Sequence, residues 1–401
     1  MSFRKFIKKL VLFFFVAFFI NYFSFNNNFV LGNDLSINAR SYIVLDRKSK
    51  KVLIGKNEYT KAKMASTTKI MTATIILENC NLDDIVTISK KSANTGGSRL
   101  GLKTNDKISV LNLLYGLLLC SGNDAAVALA EYCSGSIPEF CNLMNQKAIE
   151  LGLTNSHFET PHGLDSDGHY TTAYELSLIT DYALKNSTFV KIVNTKNHTI
   201  QINNYPKNLS NTNELLGVLD GVYGVKTGFT NGANRCLVTA CKRNDMDLIC
   251  IVLGCDTKKF RGQDSTKLIN YCFDNFEYVN IRNLLTHKLN DWKNDNKNYF
   301  NIIKGVSTKL DIKFSDPSSD VIPIKKDEIN NINVRFSINK NLAAPITVDN
   351  IIGNYEIFSS TNTIYSGDII SNNAIDKKNI KYYLFDFLKN YSNTLNSCLE
   401  F

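Results

Sequence analysis

Ser66 and Lys69 stand three residues apart at the start of residues 66–79, a stretch that is apolar enough for a buried helix. Positions i and i+3 of an α-helix share one face, about 5–6 Å apart, within reach of a common proton. A serine becomes a good nucleophile when a base takes its proton, and a lysine is such a base only when burial or a nearby cation keeps it neutral. The spacing predicts a nucleophile and its general base. The alternative is a capping serine beside a solvated lysine.

Two further motifs follow in the order that this chemistry requires, Ser121-Gly122-Asn123 and Lys226-Thr227-Gly228. Taken alone, the first is typical of a helix cap and the second of an exposed strand. Ser-x-x-Lys, Ser-Asp-Asn and Lys-Thr-Gly together are the signature of class A β-lactamases and penicillin-binding proteins. In this chain a glycine replaces the aspartate of the second motif.

The motifs lie within longer characteristic segments at residues 119–128, 157–165 and 220–228. With these flanks, residues 36–275 resemble the D-alanyl-D-alanine carboxypeptidases, the low-molecular-mass penicillin-binding proteins. The resemblance implies an α/β (α+β) fold, with a β-lactamase/transpeptidase-like catalytic domain in which helices flank an antiparallel sheet beside a mostly helical part. It also implies a serine-type carboxypeptidase that removes the terminal D-alanine from peptidoglycan stem pentapeptides. Such an enzyme forms an acyl-enzyme, is inhibited covalently by β-lactams, and needs no metal and no cofactor.

The resemblance also assigns roles to individual residues. Ser66 would attack the carbonyl between the two D-alanines, Lys69 would accept its proton, and Ser121 would pass a proton to the leaving amine. Backbone N–H groups of Ser66 and Phe229 would form the oxyanion hole, and Phe229 stands where some relatives have histidine. The residues expected to bind substrate are Asn123, Lys226, Thr227, Gly228, Phe229 and Arg261. A surface arginine is the alternative for Arg261.

Two other classes of protein remain as alternatives. A β-lactamase would share the acylation chemistry, but it needs a fast deacylation base, and no Glu-x-x-Leu-Asn lies between the second and third motifs. It would also have no need of residues 280–401. A non-catalytic protein that binds the cell wall would be expected to have a broken motif, and all three motifs are intact.

Composition and charge limit the remaining choices. With 401 residues, 44% hydrophobic and 21% charged, the chain is an ordinary globular protein, too long for a single core. The net charge is +9, and removal of the first 32 residues, with Arg4, Lys5, Lys8 and Lys9, would lower it to +5. So small a charge gives no support for a nucleic-acid partner.

Residues 1–32 have a basic start, an apolar run over 10–20 and a polar end, the layout of a secretory signal peptide. We expect cleavage after Gly32, with an uncleaved anchor as the alternative. The enzyme would then act outside the cell, at the outer face of the cytoplasmic membrane or in the cell wall.

Beyond the signal peptide, the sequence predicts three regions. Residues 33–278 would form the catalytic domain, 279–372 a small β-rich domain, and 373–401 an amphipathic helix that associates with a membrane surface. Lys377, Lys378 and Lys381 lead into this helix. Its apolar stripe consists of Ile380, Tyr383, Leu384, Phe387, Leu388, Tyr391, Leu395 and Leu399. Packing of the stripe on the β-rich domain is the alternative.

Other groups of reactive residues favour structural roles. The ten cysteines include no Cys-x-x-Cys, so most are expected to be small core residues, and no disulfide is assigned. Histidines and aspartates gather in one loop, but the loop has Gly and Pro and is similar to a family loop that needs no metal. They are His157, His162, Asp165, Asp167 and His169.

Local patterns predict the elements that position the motifs. Strands are expected around an exposed turn at 47–51, and at 236–241 and 248–254, where the Lys-Thr-Gly motif would lie on a sheet edge. Ser121 or Asn123 would cap a helix that continues through Tyr132. The other predicted helices are 66–79, 110–119, 138–151, 172–184 and 264–275, the last beginning after Arg261.

Overall fold

The computed structural model describes residues 35–317, 319–360 and 362–399, so the predicted signal peptide lies outside the described residues. The strands are β1 (Ser41–Asp46), β2 (Val52–Lys56), β3 (Ile85–Thr87), β4 (Lys107–Ser109), β5 (Asn197–Ile202), β6 (Tyr205–Ser210), β7 (Val222–Thr230), β8 (Asn234–Arg243), β9 (Met246–Cys255), β10 (Phe276–Asn280), β11 (Asn301–Ile303), β12 (Ile312–Phe314), β13 (Val321–Lys325), β14 (Ile332–Ile338), β15 (Asn341–Ala343), β16 (Ile351–Ser359) and β17 (Asn362–Ser371). The helices are α1 (Lys69–Asn79), α2 (Lys90–Ala93), α3 (Val110–Leu118), α4 (Asn123–Ser134), α5 (Ile137–Glu150), α6 (Ala173–Ala183), α7 (Ser187–Val193), α8 (Lys258–Asn275), α9 (Ile281–Asp295) and α10 (Ile380–Leu399).

A five-stranded antiparallel sheet in the order β2-β1-β9-β8-β7 supports the catalytic part. Every residue of β1 is buried, as are nine of the ten residues of β9, which explains why these strands read as continuous apolar runs. Strand β7 lies at one edge and pairs with β8 so that Lys226 faces Val238. The predicted hairpin and the edge position of the Lys-Thr-Gly motif are confirmed.

Helices pack on this sheet and on each other. Helix α6 packs against β1 and β9, and α8 packs against β8 and β9. The helical part is built around α1, which contacts α3, α4, α5 and α7, and whose residues 69–76 are all buried. Ile70, Met71, Ile75 and Ile76 make these two turns too apolar for an exposed helix, and Thr72 and Thr74 are buried with them. Its lysine is therefore enclosed by the core.

The C-terminal domain is built on a four-stranded antiparallel sheet in the order β12-β17-β16-β14. Helix α9, which the sequence analysis did not predict, packs Ile281, Leu285 and Leu289 into the core beside this sheet. The four-residue spacing of these side chains puts them on one helical face. The fold class predicted from the resemblance, a catalytic α/β domain followed by a small β domain, is confirmed. The exact domain boundaries remain predictions.

Hydrogen bonds link strands β10 and β13 to the hairpin of β1 and β2. The Tyr278 hydroxyl donates to Oδ1 of the buried Asp46 at 2.5 Å, and Lys51 Nζ donates to the Pro323 carbonyl at 3.3 Å. The described residues from Asn38 to Leu399 accordingly belong to one compact unit. The structure describes the side chains of nine cysteines, and all nine are free thiols. Five of them are buried on β8, β9 and α8, namely Cys236, Cys241, Cys250, Cys255 and Cys272.

Helix α10 ends the described chain, and its described apolar side chains lie in solvent. Ile380 is 81% exposed, Phe385 66% and Phe387 65%. Packing of this stripe on the β domain, the alternative from the sequence, is wrong for these side chains. Across the residues that the structure describes, no helix combines the length and the apolarity needed to cross a bilayer.

Candidate active site

Ser66 lies on a single 3₁₀ turn, Ala65–Thr68, and the α-helix begins only at Lys69. The sequence predicted an α-helix from residue 66. Two threonine hydroxyls explain the tighter turn, because they donate to backbone carbonyls three residues earlier, Thr67 to Met64 at 2.6 Å and Thr68 to Ala65 at 2.8 Å. Ala65 has a φ of +49°, a strained value for a residue with a Cβ. The turn leaves Ser66 partly exposed, so its hydroxyl is accessible.

Lys69 Nζ has three oxygen neighbours. They are Ser66 Oγ at 2.8 Å, Asn123 Oδ1 at 2.8 Å and the His162 carbonyl oxygen at 2.7 Å. The amide and carbonyl oxygens can only accept, so each takes an N–H of the lysine. A neutral amine has two N–H groups and one lone pair, and the lone pair is then left for the Ser66 hydroxyl. The arrangement matches the needs of a neutral base beside a nucleophile.

The environment of Lys69 favours this neutral form. The residue is completely buried, and burial, with the nearby charge of Lys226, holds the pKa of Lys69 well below its ordinary value. The alternative of a solvated first-turn lysine is therefore wrong.

Ser121 lies in an unusual conformation at the start of α4. Its φ is +63°, its side chain is buried, and its Oγ has no hydrogen-bond partner among the described residues. Neither Ser121 nor Asn123 caps the helix as predicted, because Gly122 occupies the cap position and makes no side-chain bond. The carboxylate of Asp124 instead accepts the N–H groups of Leu100, Gly101, Leu102 and Ala125. A strained backbone and an unpaired buried hydroxyl are features that folded proteins retain mainly at functional sites.

Asn123 bridges two parts of the site. Its Oδ1 accepts from Lys69, and its Nδ2 donates to the Gly96 carbonyl at 2.8 Å. Its own backbone N–H donates to the Ser98 carbonyl. These bonds fix which end of the amide faces Lys69.

The Lys-Thr-Gly motif lies on β7 against the turn that carries Ser66. A Cβ on Gly228 would come within 3.0 Å of the Met64 carbonyl oxygen, so glycine permits this close approach. Lys226 is only 1% exposed, which rules out the exposed-strand alternative. Its Nζ donates to the Thr227 carbonyl at 3.0 Å, and burial, assisted by Arg261, lowers the pKa of Lys226 to about 7. Thr227 Oγ1 lies 2.8 Å from Thr212 Oγ1.

Phe229, at the end of the motif, is 46% exposed. The guanidinium of Arg235, its partner on β8, stacks on the ring at 3.5 Å from the centroid. The phenylalanine thus forms an open aromatic surface next to the motif, supported from the neighbouring strand.

Arg261 is inside helix α8, in the first turn, and not before a helix as predicted. Its side chain is only 6% exposed, so the surface-arginine alternative is wrong. Nε and Nη2 donate to the two carboxylate oxygens of Glu214 at 2.9 and 2.8 Å, and Nη1 reaches the Gly228 carbonyl at 3.4 Å. The guanidinium therefore touches the motif strand while it is paired with a residue that the sequence analysis missed.

The histidine-containing loop closes one side of the site. His162 supplies its backbone carbonyl to Lys69, whereas His169 accepts the Glu159 N–H at Nδ1, so its Nε2–H donates to Thr68 Oγ1 at 2.8 Å. Burial lowers the pKa of His162 to about 3 and that of His169 to about 4, so both rings are neutral at pH 7. Asp165 ties the loop to the end of β7 by accepting from Thr230 Oγ1 at 2.7 Å. In the described part of the chain, no three His, Cys, Asp or Glu side chains are placed to hold a metal.

The sequence analysis missed the residues that act through a backbone atom or through another side chain. His162 contributes a backbone carbonyl to Lys69. Thr212 bonds the Thr227 hydroxyl and Glu214 pairs with Arg261, so each of these two residues acts through another side chain. The polar run at residues 211–214, just before two leucines, is the signal that could have drawn attention to the last two.

Comparison with known proteins agrees with this geometry. A family model described as D-alanyl-D-alanine carboxypeptidase matches residues 28–257, and one for the C-terminal domain of penicillin-binding protein 5 matches residues 292–377. The chain is 34% identical over 320 residues to D-alanyl-D-alanine carboxypeptidase DacF of Bacillus subtilis (strain 168), which covers 78% of this chain and 80% of that protein. It is 30% identical over 382 residues to DacC of Escherichia coli (strain K12), covering 88% of each chain.

A solved structure extends the likeness to both domains. The crystal structure of the D-alanyl-D-alanine carboxypeptidase DacD from Francisella tularensis has a TM-score of 0.70 and 26% identity, and the match covers 89% of this chain and 98% of that one. Neither the β-lactamase nor the wall-binding alternative gains support from these matches. With a family match over more than half of its length and relatives aligned through both domains, the chain belongs to the serine D-alanyl-D-alanine carboxypeptidases.

Proposed function

We propose that Ser66, Lys69 and Ser121 perform the chemistry by which this enzyme removes the terminal D-alanine from a peptidoglycan stem peptide. The observation that supports this most directly is the set of three oxygens around Lys69 Nζ, which leaves a lone pair for the Ser66 hydroxyl. Ser66 Oγ bonds to the carbonyl carbon between the two D-alanines as its proton moves to Lys69. Ser121 then delivers its hydroxyl proton to the leaving amine, the C–N bond breaks, and the proton that Lys69 took from Ser66 restores the Ser121 hydroxyl.

Backbone N–H groups of Ser66 and Phe229 stabilise the oxyanion that forms in this step. The close approach of β7 to the Ser66 turn at Gly228 supports this pairing, because it brings the two backbones together from opposite sides. Water then hydrolyses the ester on Ser66 and frees the shortened peptide. A β-lactam presents a strained amide in the same place and is expected to remain attached as an ester.

Asn123, Lys226, Thr227, Phe229 and Arg261 bind the substrate in this proposal. Asn123 orients the Lys69 amine and the substrate amide, and the exposed ring of Phe229 lies beside the path of an extended peptide. Lys226 holds the terminal carboxylate when it is protonated, together with the hydroxyl of Thr227 and the guanidinium of Arg261. Lys226 has the further role of keeping the pKa of Lys69 low.

We also propose that the enzyme is exported and held at the outer face of the membrane. Residues 1–32 have the layout of a cleavable signal peptide. Helix α10 exposes a row of aromatic and aliphatic side chains, with Lys377 just before the helix and Lys381 in its first turn, which is the arrangement of a helix that lies in the interface of a bilayer.

Mass spectrometry after incubation with benzylpenicillin tests the central assignment. We expect the protein mass to rise by one antibiotic molecule and the adduct to map to the peptide that contains Ser66. Attachment to another residue, or no attachment, would contradict the proposed nucleophile.

A further inference from the structure

One edge of the Arg261 guanidinium is already hydrogen-bonded to a carboxylate. Nε and Nη2 donate to Glu214, while Nη1 on the other side of the guanidinium approaches the Gly228 carbonyl. A guanidinium has five N–H groups in one plane, so a carboxylate on one edge fixes the direction in which the other edge points. Glu214 therefore determines which edge of Arg261 is turned to the motif strand.

The segment that contains Glu214 is tied to the site at several points. Thr212 donates its backbone N–H to the Leu119 carbonyl, two residues before Ser121, and its hydroxyl bonds Thr227 Oγ1 at 2.8 Å. Asn211 Nδ2 donates to the carbonyls of Val193 and Thr195. One short segment, residues 211–214, thus contacts the loop of the second motif, the strand of the third motif and Arg261.

Burial makes this pairing important. The Arg261 side chain is 6% exposed and that of Glu214 is 23% exposed, so the glutamate is the partly open member of the pair. A buried guanidinium without its carboxylate is costly and tends to move toward solvent or toward another anion. Glu214 is therefore the carboxylate that keeps this buried guanidinium paired.

We infer that Glu214 is a positioning residue for recognition of the substrate's terminal carboxylate. By pairing with Nε and Nη2, it holds Arg261 so that the Nη1 edge lies beside Gly228, next to Thr227 and Lys226. This inference rests on the proposed function, in which these residues bind the carboxylate. The Glu214 carboxylate accepts both of its bonds from Arg261 and takes no part in the acyl transfer.

The inference predicts a defect confined to ligands that have a free carboxylate. In Glu214→Ala the guanidinium loses its fixed orientation, and a carboxylate loses part of a charge-assisted hydrogen bond, so acylation by benzylpenicillin should slow by about tenfold. Benzylpenicillin methyl ester has the same reactive ring and no carboxylate. Its rate of acylation should be unchanged, so the ratio of the two rates falls about tenfold.

The full-length enzyme, Glu214→Ala, Glu214→Gln and a control are compared with both ligands by the rate of covalent adduct formation. Glu356→Ala is the matched control, because Glu356 pairs with Arg335 at 3.6 Å in the C-terminal domain. Its ratio should equal that of the wild type. Glu214→Gln keeps one acceptor oxygen and the side-chain length, so its ratio should fall between those of the wild type and Glu214→Ala.

Three outcomes would overturn the inference. If Glu214→Ala slows acylation by the acid and by the ester equally, the role of Glu214 is merely structural. If neither rate changes, Glu214 has no part in recognition. If the wild type does not distinguish the acid from the ester, there is no carboxylate site for Glu214 to support. Absence of any adduct on Ser66 in the wild type would instead contradict the proposed function. A D-Ala-D-Ala peptide gives a second readout, in which KM for Glu214→Gln rises more than kcat falls.

Discussion

The catalytic domain and the C-terminal domain bury different kinds of side chain. The first encloses ionisable groups that include Lys69, Lys226 and Arg261, whose whole-residue exposures are 0, 1 and 5%. In the described residues after 279, the buried polar side chains are three serines, and the core is formed by isoleucines, leucines and Tyr355. A charge taken out of water costs several kcal/mol unless it is paired, so only the first domain accepts a substantial penalty within its core.

The backbone shows the same contrast. Ala65 and Ser121 adopt left-handed conformations, with φ of +49° and +63°, and both are buried. Ala65 precedes the proposed nucleophile, and Ser121 is the proposed proton donor. In the C-terminal domain, Lys304, Asp349 and Ser360 also have positive φ, but they lie at exposed positions. Such conformations cost on the order of 1–3 kcal/mol each for ordinary residues. Other residues of the catalytic domain, such as Lys50 and Asn203, also have positive φ at exposed positions. Among the described non-glycine residues, the buried ones with positive φ are therefore those at the reactive groups, and this is the difference between the two domains.

The largest effect that this comparison predicts is for Ser66→Ala. Turnover of a D-Ala-D-Ala peptide should fall by about 10⁴-fold or more, because removal of a nucleophile eliminates the covalent route. The benzylpenicillin adduct should disappear as well. Ser337→Ala, at an exposed position of β14, should retain both activities. Detection by mass spectrometry of an adduct on Ser66→Ala would disprove the assignment.

Lys69→Arg should lose about 10²- to 10⁴-fold in the rate of acylation, the usual contribution of a general base. A guanidinium stays protonated at every pH that the protein tolerates, so it has no lone pair to offer Ser66. Stopped-flow acylation by a chromogenic β-lactam measures the rate. Lys340→Arg, an exposed substitution, is the control, and acylation of Lys69→Arg at the control's rate would exclude Lys69 as the base.

Lys226→Met tests whether a buried charge costs stability. An unfolded lysine has a pKa of about 10.4, whereas that of Lys226 in the folded enzyme is about 7. Between these values the unfolded chain binds a proton that the folded chain does not, so a higher pH stabilises the wild type. At pH 7 the methionine variant should be the more stable protein, with lower turnover.

The advantage of Lys226→Met in free energy of unfolding should shrink by about 2 kcal/mol from pH 7 to pH 9, since each pH unit changes the proton linkage by about 1 kcal/mol. Urea denaturation at three pH values measures it, with Lys340→Met as the exposed control. A pH-independent difference between Lys226→Met and the wild type would mean that Lys226 is protonated in the folded enzyme throughout this range.

Sequence reasoning identified the residues of the proposed site that belong to motifs local in the chain. Ser66 and Lys69 are neighbours on one short segment, and Ser121 and Lys226 belong to motifs of three residues, so their residue types and spacing were sufficient. Glu214 and the carbonyl of His162 reach the site only because the chain folds back on itself, by 47 residues to Arg261 and 93 residues to Lys69. No short-range pattern encodes such contacts.

The fold was predictable to a similar extent. The strands and helices with strong apolar patterns were identified, and the resemblance supplied their arrangement. The 3₁₀ turn at Ser66 escaped notice because it depends on threonine hydroxyls that bond their own backbone. Helix α9 is hard to predict because asparagines and charges separate its apolar residues, so the pattern resembles short irregular runs, although Ile281, Leu285 and Leu289 form one face.

Removal of residues 379–401 should have the smallest effect on catalysis. It tests whether the C-terminal part of the chain is dispensable for the chemistry. A protein that begins at Asn33 and ends at Lys378 keeps the backbone bond from Lys378 N–H to the Lys304 carbonyl. Its turnover of a soluble D-Ala-D-Ala peptide should stay within about twofold of the intact form, because the contacts of the catalytic groups are made by residues 64–261. Its binding to vesicles of anionic lipid should be lost.

The balance of forces on α10 makes this test specific. Lys381 and the lysines before it contribute about 1 kcal/mol each near an anionic surface, and the buried apolar face contributes more, so added salt should weaken vesicle binding of the intact protein without abolishing it. Replacing Leu384, Phe387 and Leu388 with serine keeps every charge and should release the protein as the deletion does. Complete release by salt alone would show that the lysines, and not the apolar face, hold the protein. Vesicle binding that survives the deletion would contradict anchoring by α10, and loss of folding would mean that this helix stabilises the β domain despite its exposed side chains.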